Sequence, residues 1–245
     1  MKLQADASVF PSTPPSSLDD PKAIADNDWS AFSAVTNMTN HWNRRGWSDH
    51  SRFYYWMLTL SGQPRLAEHA QHCQDTLRPL GLDNISADGF HLTLARIGPV
   101  QDVSDSRLEA MAAAATPNLP AAFDLQAIPL TASRGAVRYS VAPWTPVLDL
   151  HACLSAINHD HGVPHTTSTA LLRPHVGIAY CNRPIPAHTV REVISPLREL
   201  PPVTLPVWTV SLVELRRDVP RYEWETVHEF TLMNGTGPRR SLVSS

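Results

Sequence analysis

The sequence has few of the features that mark secreted, membrane-embedded or disulfide-stabilised proteins. Its three cysteines, Cys73, Cys153 and Cys181, are widely spaced and form no CxxC pair. A disulfide framework or a cysteine-based zinc site is therefore not expected. No stretch reaches the ~18 consecutive apolar residues of a membrane span, and the N-terminal segment lacks the continuous apolar core of a signal peptide. These absences predict a cytoplasmic protein with no membrane partner.

Positive charge is also scarce, and lysine especially so. The sequence has 20 Lys and Arg residues and 23 Asp and Glu residues, which gives a formal net charge of −3. Every cation after Lys22 is an arginine. Without a broad basic field, the protein is not expected to coat long duplex nucleic acid. A pocket for one phosphate or one RNA end stays open, because arginine makes forked contacts to phosphate.

The length and composition are those of a globular chain with a sizeable core. The chain has 245 residues, of which 42% are hydrophobic, enough for one large domain or two small ones. Residues 1–27 are rich in Pro, Ser and Asp and predict a disordered tail, and residues 234–245 predict a second flexible tail. Residues 28–233 are expected to form a single two-lobed domain, with a short helix within 28–42.

From residue 50 onwards, predicted strands and helices alternate in a pattern that occurs twice. The first half (50–131) reads strand 52–60, helix 64–80, strand 90–98, helix 104–116 and strand 123–131. The second half (136–232) reads strand 136–143, helix 146–160, strand 173–182, helix 186–200, strand 203–215 and strand 222–233. The turn at Arg134-Gly135 and the final strand pair favour antiparallel neighbours. We therefore predict an α+β fold of two pseudo-symmetric lobes, each an antiparallel sheet with helices on its outer face, with a cleft between them.

The second strand of the first half carries a histidine within an apolar run, "GFHLTLARIGPV" (89–100). Strict alternation places His91 and Thr93 on one face and Arg96 on the other. The equivalent strand of the second half, "RPHVGIAYCN" (173–182), carries His175. If the lobes face each other, both histidines reach the cleft. One neutral imidazole could then accept a proton while the other, protonated, donates one near neutral pH.

These two strands, "HLTLARIG" and "RPHVGIAY", resemble the signature strands of the two-histidine phosphoesterase superfamily, particularly its 2′-5′ RNA ligase-like branch. The resemblance covers roughly residues 50–232. It implies catalytic roles for His91 and His175 and a phosphate-orienting role for Thr93. It also implies a phosphodiesterase without metal or cofactor that acts on 2′,3′-cyclic or 2′-5′ phosphodiester bonds. The expected partner is a nucleotide or a short RNA with a cyclic phosphate end, bound by a monomer.

The second strand departs from this family pattern at Gly177, where a Thr or Ser is expected two residues after the histidine. The Gly177 backbone N–H is then a candidate phosphate contact, as is Arg173 at the start of the strand. Loss of one donor hydroxyl can lower a rate by about 10²–10³-fold. An alternative hypothesis is therefore a catalytically weakened protein that binds nucleotides or RNA ends. A third is a cysteine or metal hydrolase on another fold.

Two further segments allow both a functional and a structural interpretation. The segment "HDHGVPH" offers His159, His161 and His165 as metal ligands, but it lies at a helix end and in a loop without cysteine or carboxylate support. We expect no metal there. The aromatic segment "WNRRGWSDHSRFYYW" (42–56) could stack nucleobases, although packing of a sheet is the favoured interpretation. Tyr180 alternates away from the predicted cleft, so core packing is expected for it too.

Overall fold

The computed structural model describes residues 2–43, 48, 50–163 and 167–233. Its helices are α1 (Pro21–Ser33), α2 (Pro64–Leu77), α3 (Asp105–Ala115), α4 (Thr145–Asp160) and α5 (Ala187–Ile194). Its strands are β1 (Asn37–Met38), β2 (Arg52–Thr59), β3 (Asp83–Asn84), β4 (His91–Pro99), β5 (Phe123–Ala132), β6 (Ala136–Ala142), β7 (His175–Tyr180), β8 (Ile185–Pro186), β9 (Val203–Val207), β10 (Thr209–Val219) and β11 (Arg221–Thr231). The predicted tail at 234–245 lies outside the described residues.

The strands form two main antiparallel sheets, which confirms the predicted α+β fold. The first sheet has the order β11-β10-β2-β4, and the second has the order β3-β7-β6-β5-β9. The short strands β1 and β8 pair with each other. One continuous hydrophobic core joins the two sheets and the helices, and Trp56 of β2 is fully buried within it. Within the described ranges, no helix is long and apolar enough to cross a membrane.

The two sheets do not correspond to the two halves of the chain. Strand β5 belongs to the first half but pairs with β6 and β9 in the second sheet. Strand β10 belongs to the second half but pairs with β2 in the first sheet. The first half therefore gives β3 and β5 to the second sheet, and the second half gives β10 and β11 to the first. The predicted lobes of 50–131 and 136–232 do not coincide with the two sheets.

The second half of the chain passes from the second sheet to the first at Trp208. This residue lies inside a segment, 203–215, that the sequence predicts to be one strand. The structure divides this segment into β9, which pairs with β5, and β10, which pairs with β2. Trp208 lies between them with 57% of its surface exposed. Alternation of polar and apolar residues continues through both strands, so it gives no sign of the change of sheet.

The N-terminal segment is part of the domain, which contradicts the prediction that residues 1–27 form a disordered tail. Leu3 is buried, and the Gln4 N–H donates to the Ala170 carbonyl over 3.0 Å. Asp19 accepts hydrogen bonds from the backbone and hydroxyl of Thr145, at the start of α4. Helix α1 begins at Pro21 rather than after residue 27, and the Asp20 side chain caps it by accepting from the Lys22 N–H.

Helix α1 is held on the second sheet by a buried ion pair. The Asp28 carboxylate lies 3.2 Å from the Arg138 guanidinium of β6, and both side chains are almost fully buried. Asp28 also accepts a hydrogen bond from the Ser140 hydroxyl. Ser140 lies directly opposite His175 in the β6–β7 ladder, and opposed residues in an antiparallel pair share a face. Helix α1 is therefore packed on the same face of the sheet as His175.

Candidate active site

His91 occupies the first position of β4, where the strand follows a short turn. Its Nδ1 lies 2.8 Å from the carbonyl oxygen of Gly89, two residues earlier. Because a carbonyl oxygen only accepts, Nδ1 carries the hydrogen, and Nε2 of the neutral ring carries none. The local turn therefore selects the tautomer whose Nε2 can act as a proton acceptor.

His175 repeats this arrangement at the first position of β7. Its Nδ1 lies 2.9 Å from the carbonyl oxygen of Arg173, again two residues earlier. The side chain of His175 is exposed. Cα atoms of β4 and β7 approach within 8 Å of each other. The two histidine strands that the sequence singles out therefore lie side by side, although they belong to different sheets.

A bulge in β4 changes which side chains share a face with His91. Thr93 is paired with Met57 and Arg96 with Tyr55, with a register shift between them. Met57 and Tyr55 are two residues apart in β2 and share a face. Thr93 and Arg96 are therefore on one face and are both exposed, so the prediction that Arg96 lies opposite His91 is wrong. The Arg96 guanidinium lies over the ring of Phe53, 4.0 Å from the centroid.

Strand β7 contains the equivalent bulge. Gly177 is paired with Arg138 and Ala179 with Val137, so the extra residue, Ile178, has no direct partner in β6. Tyr180 is thereby turned to the face of His175 and Gly177, which contradicts its predicted orientation. We call the six residues that begin with each histidine a motif, His91–Arg96 being the first and His175–Tyr180 the second. In both motifs the residues at positions one, three and six share a face. They are His91, Thr93 and Arg96 in β4, and His175, Gly177 and Tyr180 in β7.

An aromatic cluster connects the two motifs. The ring of Tyr180 is stacked on His41 at 4.0 Å between centroids and makes an edge contact with Tyr222 at 5.6 Å. Tyr222 in turn lies 6.2 Å from the His91 ring, and Trp224 lies 5.4 Å from it. The β10–β11 hairpin therefore curls over the face that carries His91 and brings its tip to the second motif.

Three residues of this cluster carry no sequence signal that predicts their position: Tyr222, Trp224 and His41. Tyr222 and Trp224 come from the last strand of the chain, where no motif or spacing distinguishes them from ordinary strand aromatics. His41 is held by a hydrogen bond between its Nε2 and the Tyr222 hydroxyl over 3.1 Å. Trp42, at the start of the aromatic segment 42–56, lies in the same cluster. Residues 44–47 and 49 of that segment lie outside the described residues.

Burial changes the acidity of His91. Loss of contact with water lowers its pKa below the ordinary value of 6.5, and the hydrogen bond to the Gly89 carbonyl opposes this effect without cancelling it. The neutral imidazole is thus favoured near neutral pH. Because Nδ1 donates to the Gly89 carbonyl, the neutral ring of His91 has an unprotonated Nε2.

Arg173 does not have the phosphate-binding position that the sequence predicts. Its guanidinium is buried and donates to the backbone carbonyls of Gln4, Pro11, Ala170 and Leu172. It therefore holds the N-terminal segment against the loop before β7. The same residue supplies the carbonyl that orients His175, so Arg173 is part of the frame of the site.

The histidine-rich segment shows no sign of a ligand set where it is described. His159 is exposed and lies 3.3 Å from Asp160, and the Nδ1 of His161 lies 2.8 Å from the Ile157 carbonyl at the end of α4. His165 lies outside the described residues. Within residues 2–43, 48, 50–163 and 167–233, no group of three or more His, Cys, Asp or Glu side chains could hold a metal ion.

Comparison with solved structures identifies relatives in fold. A crystal structure titled as a phosphoesterase superposes with a TM-score of 0.56 and 17% identity, covering 76% of this chain and 100% of that one. Escherichia coli LigT in complex with 3′-AMP superposes with a TM-score of 0.55 and 16% identity, covering 75% and 99%. TT0787 of Thermus thermophilus superposes with a TM-score of 0.55 and 17% identity, covering 74% and 98%. A comparison with curated protein sequences gives no match.

The sequence profile of the 2′-5′ RNA ligase superfamily matches residues 62–219, more than half of the chain. The matched range contains both histidine strands and the bulges that follow them, together with strands of both sheets. The profile match, the shared fold and the two histidine strands agree, and the chain belongs to the 2′-5′ RNA ligase superfamily.

Proposed function

We propose that the protein is a metal-independent phosphodiesterase that opens 2′,3′-cyclic phosphates, or makes or cleaves 2′-5′ linkages, at RNA ends or in nucleotides. The observation that carries this proposal is the matched setting of His91 and His175. On two adjoining strands of different sheets, each Nδ1 donates to a carbonyl two residues earlier. Two imidazoles with defined tautomers on adjoining strands are suited to paired proton transfer at a phosphorus centre.

In the hydrolytic direction, the oxygen of a water molecule attacks phosphorus and loses its proton to the Nε2 of one histidine. The bond from phosphorus to one ribose oxygen breaks, and the other histidine, protonated at Nε2, gives that oxygen its proton. The cyclic diester becomes a monoester and a free hydroxyl, and no electrons are transferred. With a ribose hydroxyl in place of water, the same proton transfers make or break a 2′-5′ linkage.

We assign the base in hydrolysis to His91. Its pKa is lowered by burial, so at neutral pH it is mostly unprotonated. His175, exposed at the start of β7, is then the group that gives a proton to the leaving oxygen. Thr93, exposed on the same face as His91, would hold a phosphoryl oxygen in line with the attacking water.

The relatives support a nucleotide as the ligand. LigT of Escherichia coli has been crystallised with ATP, with NADP+ and with 3′-AMP. The aromatic cluster of Trp42, Tyr180, Tyr222 and Trp224 lies next to His91 in this chain. Aromatic faces beside a phosphate site suit a nucleobase, because stacking accepts any base.

A second candidate function is a binding protein that retains the cleft but turns over slowly. The observation that favours it is Gly177, which brings no hydroxyl to the second motif. Such a protein would gain thermal stability in the presence of a nucleotide, by an amount set by the ratio of ligand concentration to Kd. Its turnover would be slow or below detection.

The test is hydrolysis of a 2′,3′-cyclic nucleotide in the presence of EDTA. Wild type is expected to be active, while His91→Ala and His175→Ala each lose about 10²–10⁴-fold in rate without losing the folded state. His159→Ala serves as the matched control, because this histidine is exposed outside the site. Full activity in either active-site variant contradicts the mechanism. A folded wild type that binds the nucleotide without turnover supports the binding protein.

A further inference from the structure

The space beside Gly177 is occupied. A Cβ atom at this position would lie 3.1 Å from the Cδ1 atom of Ile85, closer than side chains normally approach. It would lie 3.9 Å from both the hydroxyl oxygen and the Cε1 atom of Tyr180. A serine or threonine at 177 would therefore require Ile85 to move and would be in contact with Tyr180. The glycine does not leave open space at this position.

Tyr180 is brought to this place by the bulge at Ile178. Without the extra residue, Tyr180 would alternate to the opposite face from Gly177. The ring is held by stacking on His41 and by edge contacts with Trp42 and Tyr222. Only 7% of the surface of Tyr180 is exposed, so its ring has little freedom. The phenol oxygen is consequently held at one position next to residue 177.

We propose that Tyr180 is a catalytic residue whose phenol hydroxyl contacts the phosphoryl group, in place of the hydroxyl that Gly177 lacks. The proposal rests on the proposed function, because it needs a phosphate between the two histidines. In this arrangement Thr93 donates to a phosphoryl oxygen from the first motif and Tyr180 donates from the second. The chain thus keeps two hydroxyl donors, one from each sheet. The donor from the second sheet is Tyr180, three residues after Gly177 in β7.

The contact adds a hydrogen bond and involves no proton loss. The phenol O–H donates to a non-bridging phosphoryl oxygen, whose negative charge increases as the attacking oxygen bonds to phosphorus. A donor that is already fixed before the reaction stabilises this charge without reorganisation. The aromatic contacts around Tyr180 provide that fixation. The expected contribution is therefore to kcat more than to KM.

The experiment compares Tyr180→Phe with wild type on a 2′,3′-cyclic nucleotide. We expect kcat to fall by about 10²-fold, as for loss of one oxyanion donor, with little change in KM or in thermal stability. Tyr54→Phe is the matched control, because this buried tyrosine is adjacent to Tyr55 in β2 and points to the face opposite Thr93 and Arg96. Wild-type kcat in Tyr180→Phe, in a protein that depends on His91 and His175, overturns the proposal.

A second set of variants tests whether a hydroxyl at position 177 can replace the hydroxyl of Tyr180. Ile85→Ala gives room for a side chain at 177, and Gly177→Ser then restores a hydroxyl to the second motif. In the Tyr180→Phe background, the two changes together should recover roughly tenfold in kcat, part of the loss of one oxyanion donor, whereas in the wild-type background they should add little. Recovery of equal size in both backgrounds would show that Tyr180 does not supply this hydroxyl.

Failure of the proposed function can be distinguished from failure of the role of Tyr180. If wild type does not turn over the cyclic nucleotide, the affinity for 3′-AMP measures the contact between the Tyr180 hydroxyl and the phosphate. Loss of one hydrogen bond to the phosphate should then weaken binding by about tenfold in Tyr180→Phe. Equal affinities of wild type and Tyr180→Phe overturn the role of Tyr180, whatever the reaction is.

Discussion

His91 and His175 each donate a hydrogen bond from Nδ1 to the backbone carbonyl oxygen two residues earlier, over 2.8 Å and 2.9 Å. The two rings belong to different sheets and come from distant parts of the chain. The same backbone arrangement orients both rings, because in each case a carbonyl oxygen accepts the hydrogen of Nδ1. His91 differs from His175 in being partly buried, and burial lowers the pKa of His91.

The rate should depend on pH through His91. This base must be unprotonated, so kcat/KM rises with pH through its pKa in the free protein. Because burial lowers that pKa, the acid limb should have its midpoint below the ordinary histidine value of 6.5. A pH–rate profile from about pH 4 to about pH 9, which brackets the titration of histidine, measures this midpoint. An acid limb centred above the ordinary value would contradict the assignment of His91 as the base.

Thr93→Val should lower kcat by about 10²–10³-fold, because the valine keeps the shape of the strand and removes the donor hydroxyl. Thr204→Val is the matched control. Thr204 is an exposed threonine of β9, which pairs with β5 and is separated from β7 by β5 and β6. Steady-state kinetics of both variants separate the two threonines. A loss of equal size in both would contradict a specific role of the Thr93 hydroxyl.

Arg173→Met should destabilise the protein by on the order of 3 kcal/mol, since buried carbonyl oxygens of the N-terminal segment lose their donor. Chemical denaturation measures this change. If Arg173 were instead a phosphate ligand, as the sequence predicts, the variant would keep wild-type stability and raise KM. Arg173→Lys should recover only part of the stability, because lysine cannot reproduce the forked geometry.

Asp28→Ala should cost about 3–5 kcal/mol, because it leaves the Arg138 guanidinium buried without its partner. The double variant Asp28→Leu with Arg138→Met removes both charges and should recover most of that loss. Denaturation of wild type and both variants tests the pair. If the single and the double variant were equally destabilised, the packing of α1 rather than the charge would be the larger contribution.

The order of elements after residue 50 could be predicted because each one has a clear period and clear turn residues. The faces that Arg96 and Tyr180 occupy could not be predicted from the sequence. One inserted residue in each strand reverses the alternation on which such a prediction depends. The prediction for the N-terminal segment fails for another reason. Its Pro and Ser content is typical of disordered chains, but Leu3, Pro11 and Asp28 are held by the core and by buried arginines that only the folded chain brings to them.

The exchange of strands between the sheets limits how such a protein can be divided. Strand β5 of the first half pairs with β6 and β9 of the second half, and β10 of the second half pairs with β2 of the first half. A cleavage within residues 133–135 would therefore leave two fragments that must reassociate to complete either sheet. Neither fragment alone would carry both histidine strands.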